Sequence, residues 1–415
     1  MNTIAVIDLK AFYAAVECVE RNLDYFTTPL IVCDTSRGMG TIVLSVTPYC
    51  KSLGIPSRCR RRDVPHIKGM IYAVPRMALY VEKSCQVMDI ILNYISEEDL
   101  HVYSIDECFV NLTPYLGYYN KTGEEIVDMI QKDIKAKLGL TATAGISFNP
   151  FMAKICLDNE GKNKAPNFRA TWGKEDIENK LWKIEHVTDI WGIAAGYGKR
   201  LSKIGIETVK DLATAPVSVL RDNFGVMGQQ LHDLANGIDE SNLREKYIPE
   251  TTSFSTGQAL FRDYSKTEVV TLLREMTDNL CVRLHNSNLV TDVIYVAVMY
   301  TFKAEKAGFS HQSKLVLPID DNDLLFDNIL QMYNKYIDDL PIRNVYISFG
   351  HLTKRNKVQL SLFENNEQLE ENRNKQIVIE KVQQKYGKDK LYRATALLDE
   401  STFIERSKQI GGHKK

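Results

Sequence analysis

The chain has 415 residues, a length that on typical domain sizes implies about two to four domains and several sizeable cores. Its 52 Lys and Arg residues nearly cancel its 53 Asp and Glu residues, leaving a formal charge of −1 in a composition that is 44% hydrophobic and 25% charged. That balance is ordinary for a globular chain. It excludes a uniformly basic coat protein for nucleic acid and a disordered polyanion, while leaving room for a local basic stripe. No run approaches the roughly 20 apolar residues of a membrane span; Val293 to Tyr300 is long enough only for a buried strand. The first residues lack a basic n-region and reach Asp8 at once, so no signal peptide is read and a cytoplasmic location is expected. The eight cysteines contain no C-x-x-C pair and the histidines do not cluster, which points to reduced thiols and away from zinc.

In chain order, Ile4-Ala5-Val6-Ile7 is a continuous apolar run that predicts a buried strand. Ala11 to Asn22 follows with helical spacing through Phe12, Ala15, Val16 and Val19. Ile31 to Cys33 and Thr41 to Val46 are expected as strands around a Ser-Arg-Gly-Met-Gly turn. Val81 to Ile95 reads as an amphipathic helix, and Val102 to Leu112 as two short strands meeting near Asp106. Gly123 to Leu138 reads as a helix and Thr141 to Ile146 as a strand, completing a mixed α/β domain.

From about 170 to 240 the chain breaks into short helical pieces punctuated by glycine. Trp191-Gly192-Ile193 through Gly205-Ile206, and Phe224-Gly225-Val226-Met227-Gly228, each pair a tight turn with a following helix. These read either as helix-hairpin-helix phosphate cradles or as ordinary glycine helix caps. Ala194 stands where a second hairpin glycine would be expected. From 248 to 352 the predicted order is strand 254–262, helix 267–286, strand 292–302, strand 310–317, helix 322–337 and strand 344–351, a split βαβ pattern. Lys303, Lys306, His311, Lys314, Lys354, Arg355 and Lys357 sit on or beside these strands. They read either as a DNA-facing edge of the sheet or as a solvated rim. Beyond, Glu364 to Glu367 is expected as a linker and Ile377 to Tyr386 as a short helix, and the final Ile-Gly-Gly-His-Lys-Lys as flexible and basic.

Charge is unevenly spread along this plan. Residues 51–83 carry eight basic and two acidic groups, 84–150 four and ten, and 373–415 eleven and five. Within the acidic stretch lies Ser104-Ile105-Asp106-Glu107, flanked by strand-like sequence. Adjacent carboxylates on a regular strand face opposite sides, so both reach one place only beside a turn. With Asp8 at the end of the first strand they could hold two hard divalent cations for phosphoryl transfer. Otherwise they are a helix-terminal acid and solvated turn acids.

The string Ile7-Asp8-Leu9-Lys10-Ala11-Phe12-Tyr13-Ala14-Ala15-Val16-Glu17 resembles the first motif of Y-family DNA polymerases, and Ser104-Ile105-Asp106-Glu107 their second. Gly145-Ile146-Ser147 with Ala153-Lys154 and Asp158 is similar to the third, and Trp191-Gly192-Ile193 with Leu201 and Gly205-Ile206 to the thumb hairpin. Ser45-Val46-Thr47-Pro48 with Lys51, the long tail, and Ile410-Gly411-Gly412-His413 resemble the UmuC-like translesion branch of Gram-positive bacteria and their mobile elements. Gln359-Leu360-Ser361-Leu362-Phe363 resembles the pentapeptide that grips a sliding clamp: Leu360, Leu362 and Phe363 are its apolar anchors and Gln359 sets the register.

The resemblance implies an α+β multidomain right-hand polymerase. It has a ferredoxin-like palm (1–20 and 77–168), small fingers (21–76), a helix-hairpin-helix thumb (169–242) and a split βαβ little finger (243–357). A clamp motif and tail (358–415) follow. It implies an error-prone translesion DNA polymerase that adds dNTPs to a primer 3′-OH with two Mg²⁺ ions, in damage tolerance and SOS mutagenesis. The ions would be held by Asp8, Asp106, Glu107 and the Leu9 carbonyl. Phe12, Tyr13, Ser45, Lys51 and Lys162 would bind the nucleotide, Tyr13 as a gate against the ribose 2′-OH, with Lys164 the alternative to Lys162. Relatives carry a Tyr-x-x-Arg arrangement where this chain has Pro48 and Lys51, which removes a hydroxyl and exchanges a guanidinium fork for a point charge. Ile42 and Leu44 would lie against the templating base pair, and Gly192, Gly225, Gly228, Lys303, Lys314, Lys354 and Arg355 would contact DNA. The implied partners are primer-template DNA, dNTP and a sliding clamp, with the tail a candidate site for an accessory subunit or a recombinase filament. A metal-dependent nuclease and a non-catalytic DNA- or clamp-binding accessory protein are the alternatives.

Overall fold

The computed structural model describes residues 2–245, 248–249, 252–355 and 366–415, divided into two compact units, 1–246 with 410–415 and 247–409. In the first unit, β1 (Ile4–Leu9) is the central strand of a five-stranded sheet. Around it the chain supplies α1 (Phe12–Val19), β2 (Leu30–Val32), β3 (Ser45–Val46), α2 (Pro48–Ser52), β4 (Ile71–Ala73), α3 (Met77–Leu92), β5 (Leu100–Val102) and β6 (Glu107–Asn111). Then follow α4 (Thr113–Tyr119), α5 (Gly123–Leu138), β7 (Ala142–Ser147), α6 (Pro150–Asn159) and β8 (Arg169–Thr171). The palm sheet runs β5-β6-β1-β7-β8. β1 is antiparallel to both neighbours, and β8 parallel to β7.

The alternation of β1 sorts its side chains between two layers. Ala5, Ile7 and Leu9 join a core with α1, α3 and α5, while Ile4 and Val6 join Phe109, Ala153 and Leu157 beneath α6. Gly145 allows that second layer to close, since a Cβ there would collide with the Ala153 carbonyl and the Leu157 amide of α6. α5 is fixed at both ends, by the Thr122–Glu125 capping box and by Gly139 at φ 69°, and its observed limits equal those expected.

The fingers hold a small sheet in the order β3-β2-β4 over Ile31, Cys33, Val43, Val46, Cys50 and Ile55. The strand expected over Thr41 to Val46 is shorter, Ser45–Val46 alone, with Ile42 forming a single bridge to Arg60. The segment follows the turn containing Gly38 and pairs with two different partners in succession, so it cannot stay in one ladder. The helix expected from Val81 begins earlier, at Met77. The thumb packs α7 (Asp176–Asn179), α8 (Ala195–Ser202), α9 (Val209–Thr214), α10 (Val217–Phe224) and α11 (Val226–Ala235) around Trp172, Leu201, Leu212, Leu220 and Leu231.

The second unit has β9 (Phe254–Tyr264), α12 (Glu268–Ser287), β10 (Leu289–Tyr300), β11 (Gly308–Ile319), α13 (Asn322–Tyr336) and β12 (Ile342–Gly350), the expected β-α-β-β-α-β order. Its sheet runs β11-β10-β12-β9 with α12 and α13 over one face, and β13 (Thr353–Lys354) pairs with the start of β10. The tail departs from expectation. α14 spans Asn366–Tyr386 rather than starting at Ile377, so its first two residues occupy part of the expected linker. It lies against α12 through His285, whose Nδ1 is 2.8 Å from Glu380 Oε1. α15 (Phe403–Ser407) follows, and Ser401 and Thr402 donate hydrogen bonds to Glu275 of α12. The final residues form a hairpin, β14 (Gln409–Ile410) with β15 (His413–Lys414), instead of a loose end.

Candidate active site

Asp8 and Glu107 are directly opposed across the antiparallel β1–β6 pair, which puts both side chains on one face. Asp106 precedes β6, and its carbonyl accepts the Leu9 N–H at 2.8 Å. The turn before it is held by Ser104, whose Oγ donates to Asp106 Oδ1 at 2.8 Å. Three carboxylates therefore meet where β1 ends and β6 begins. On the other side of Asp8, Thr143 of β7 donates its hydroxyl to the Asp8 carbonyl at 3.1 Å.

Two amines approach this cluster from α6 and the turn after it. Lys154 Nζ lies 2.7 Å from Glu107 Oε1 and 2.9 Å from Oε2, both side chains buried, but only the contact to Oε2 has hydrogen-bond geometry. Glu107 Oε1 is thus a buried oxygen without a hydrogen-bond donor. Lys162 Nζ is 3.1 Å from Asp8 Oδ2 and 2.9 Å from Asp158 Oδ1. Lys164 instead pairs with Glu160 at 3.0 Å on the surface. Of the two lysines left open by the spacing, Lys162 is the one at the carboxylates.

Burial pushes Asp8 up to about 6, with Asp106 and Glu107 adding to the rise and Lys162 opposing it. Burial also works against the charge on Lys162, yet Asp8 and Asp158 outweigh it and hold that amine above the ordinary lysine value. Burial disfavours charge on both groups; for Asp8 it prevails over the attraction of Lys162, whereas for Lys162 the carboxylates of Asp8 and Asp158 prevail over it. Lys10, at the mouth, moves the other way. Burial and then repulsion from Lys51 lower it, with Lys162 contributing and Asp8 opposing. Its Nζ donates to the Lys162 carbonyl at 2.7 Å and lies 4.6 Å from the centre of the Phe168 ring.

Tyr13 is stacked on Tyr80 with ring centres 4.6 Å apart, and burial together with Asp106 raises its hydroxyl above the ordinary tyrosine value. Phe12 is placed differently from expectation: its side chain is buried in the palm core, so only its main chain could meet a nucleotide. Ser45 is buried too, its hydroxyl 3.4 Å from the Ala11 carbonyl and the Ala14 amide at the start of α1. Ile42 is exposed and Leu44 leans on the palm core. Lys10 and Lys154, absent from the expected contact set, stand at the site; their signal was the i, i+4 run Lys154, Asp158, Lys162 and the position of Lys10 two residues after Asp8.

The expected DNA contacts divide. Gly192 (φ 96°) and Gly225 (φ 62°) adopt turn conformations open to a ligand. Gly228 is a packing glycine, since a Cβ there would strike the Leu220 carbonyl of α10. In the second unit Lys303, Lys314 and Lys354 are exposed, Lys314 with Asp292 3.9 Å away. They do not form one edge. Lys354 pairs with Leu289 at the start of β10 and Lys303 follows its end, a separation of roughly 35 Å at strand rise. Arg355 is no surface cation: it is mostly buried against Asp320 and Glu370, held there by the arrival of α14. The clamp-like residues Gln359, Leu360, Leu362 and Phe363 lie outside the described residues.

Among the described residues no three His, Cys, Asp or Glu side chains form a ready-made metal cage, the amines of Lys154 and Lys162 lying against the carboxylates. No helix among the described residues is long and apolar enough to cross a membrane.

Comparison with known proteins matches the impB/mucB/samB family over residues 7–158, its C-terminal domain over 251–362, and the thumb domain of DNA polymerase-iota over 188–239. UvrX of Bacillus subtilis (strain 168), named for UV-damage repair, is 31% identical across 99% of this chain and 97% of its own. A DNA polymerase IV 2 of the same organism is 28% identical across 99% and 98%. A solved Y-family DNA polymerase chimera of Dbh and Dpo4 has the same fold, with a TM-score of 0.67 at 19% identity over 85% of this chain and all of that one. With the palm motifs, the thumb and the C-terminal domain all matched in order, the chain belongs to the Y family of translesion DNA polymerases and is a DNA-directed DNA polymerase.

Proposed function

We propose that this chain extends a primer 3′ end opposite damaged template by nucleotidyl transfer at Asp8, Asp106 and Glu107, as an error-prone polymerase of damage tolerance and the SOS response. The observation that carries the reading is the register that sets Asp8 opposite Glu107 with Asp106 bonded to the neighbouring amide. In the reaction the primer 3′-oxygen bonds to the α-phosphorus of a dNTP, the bond to the β-phosphate oxygen breaks, pyrophosphate leaves, and the hydroxyl proton passes to solvent.

The residues fit magnesium. All donors are hard oxygens, Glu107 Oε1 is buried with no hydrogen-bond partner beyond the ion-pair contact of Lys154, and repulsion from its neighbours adds to the rise in the Asp8 pKa. The lack of a closed cage agrees with an ion that takes one or two carboxylates and completes its shell with water and substrate phosphates. Asp8, Asp106, Glu107 and the Leu9 carbonyl would hold two such ions, which when bound acidify the 3′-hydroxyl and neutralise charge on the phosphates.

The chain's own groups do the rest. Lys51 and Lys162 both repel the Lys10 amine, a repulsion that a triphosphate would relieve. Tyr13 would crowd a ribose 2′-OH. The fingers have little sheet and an exposed Ile42, which suits loose inspection of the base pair. The pentapeptide 359–363 would tether the enzyme to a sliding clamp, and the tail could receive an accessory subunit or a recombinase filament; the setting is cytoplasmic.

Primer extension with Mg²⁺ and single dNTPs tests the reading. Templated lengthening of the primer is expected; shortening, or no change, would overturn it in favour of a nuclease or a non-catalytic binder.

A further inference from the structure

The hairpin at 409–414 brings the basic end of the chain onto the fingers. Ile410 packs against the palm core. The Gly412 carbonyl accepts a hydrogen bond from Arg37 Nη2 at 2.7 Å, and Lys414 Nζ donates to Ser36 Oγ at 3.2 Å and lies 3.4 Å from Asp34. The same turn receives two arginines from the other side. Arg61 Nη1 donates to the Thr35 carbonyl at 3.2 Å, with its guanidinium 5.3 Å from the centre of the Tyr72 ring. Arg60 Nη1 donates to the Gly40 carbonyl at 2.8 Å. Two basic segments far apart in sequence thereby converge on residues 34–40.

The convergence is a surplus of charge. Asp34 is buried and occupied by Ser36, Arg37 and Lys414, and Asp63 lies beside Arg62. Among these cations stand exposed flat or apolar side chains, Met39, Ile42, Tyr72 and Val74. A basic track interleaved with stacking surface suits single-stranded nucleic acid, whose bases are free to stack; a duplex hides its base faces. Ile42 bridges to Arg60, so the track starts beside the residue read above as touching the templating base.

We propose that the hairpin and the fingers loop 57–68 together bind the single-stranded template 5′ of the templating base. This rests on the proposed placement of Ile42. It assigns the hairpin a function as part of a binding surface.

The test is fluorescence anisotropy with the full chain on primer-templates whose 5′ overhang is one nucleotide or about 12, a length within the range bound by single-strand modules. The longer overhang is expected to tighten binding by about tenfold, with a salt slope steeper by roughly 0.7 for each phosphate contacted. Arg60→Ala with Arg62→Ala, and separately Lys414→Glu, should abolish that gain while leaving the one-nucleotide overhang bound as before. Arg60→Lys with Arg62→Lys should retain it. An unchanged gain in the Ala and Glu variants would overturn the proposal, as would equal weakening on blunt duplex. Extension of the one-nucleotide template by the same proteins reports on the active site independently.

Discussion

Tyr13 owes its position to its neighbours more than to its own helix. Its ring lies on Tyr80, and the Tyr80 hydroxyl donates to Glu17 at 2.7 Å. The Glu17 carboxylate, fully buried, is clamped in turn by Arg76 and Arg21. If Tyr13 is the proposed gate, this backing would keep it from swinging aside for an extra hydroxyl. Forcing one in amounts to overpacking, about 1–3 kcal/mol, so Tyr13→Ala is expected to raise ribonucleotide incorporation roughly ten- to hundredfold relative to dNTP. Competition assays with matched rNTP and dNTP check this, and an unchanged ratio would remove the gate. At this scale the position of the carboxylates, at a strand end and beside a turn, was legible from local pattern, while their joint role came only from the resemblance to the polymerase motifs. For Phe12 the helical spacing, which puts it on the apolar stripe, was a better guide than the motif, which suggested a nucleotide contact for a side chain that is buried. Lys10 and Lys154 were overlooked as contacts because their partners, the Lys162 carbonyl and Glu107, come from distant segments.

Among elements, the fold of the second unit follows its periodicity closely, because six alternating strands and helices each bury one clear face. α14 escaped in part. Its polar sequence carries a weak apolar stripe, and its docking depends on ions. His285 is nearly buried, with Nδ1 2.8 Å from the Glu380 carboxylate and Nε2 2.9 Å from the Asp320 carbonyl. A carboxylate and a carbonyl both accept, so the charged ring, with a proton on each nitrogen, is the form that satisfies both contacts. Asp320 also holds Arg373 and Arg355. Burial disfavours the charged ring, but Glu380 and Asp320 prevail and the pKa rises above 6.5. A raised folded-state value means the stabilisation is full below the unfolded pKa and fades as pH climbs through the folded one. The second unit should therefore melt at a lower temperature at alkaline pH than near pH 6, and His285→Gln should flatten that dependence. Thermal melts across pH read both, and an unaltered slope in the variant would refute the lock.

For the whole molecule, near-neutral charge conceals a division of labour. Acidic groups gather at the palm, and basic groups collect on the fingers, where the hairpin adds more. The order of the regions matched by family, 7–158, 188–239 and 251–362, agrees with the order of the motifs. The meeting of 410–415 with 34–40 was not readable in them, since a contact across most of the chain leaves no local pattern. If residues 359–363 form the clamp tether, deleting them should abolish clamp-stimulated synthesis and spare basal extension; retained stimulation would contradict it. The central claim is that the carboxylates at the β1–β6 junction perform the chemistry, and primer extension by Asp106→Ala against the parent chain tests it most directly. Loss of prearranged charge stabilisation predicts a fall of about a hundredfold or more with DNA binding intact. Extension at the parent rate would contradict the assignment.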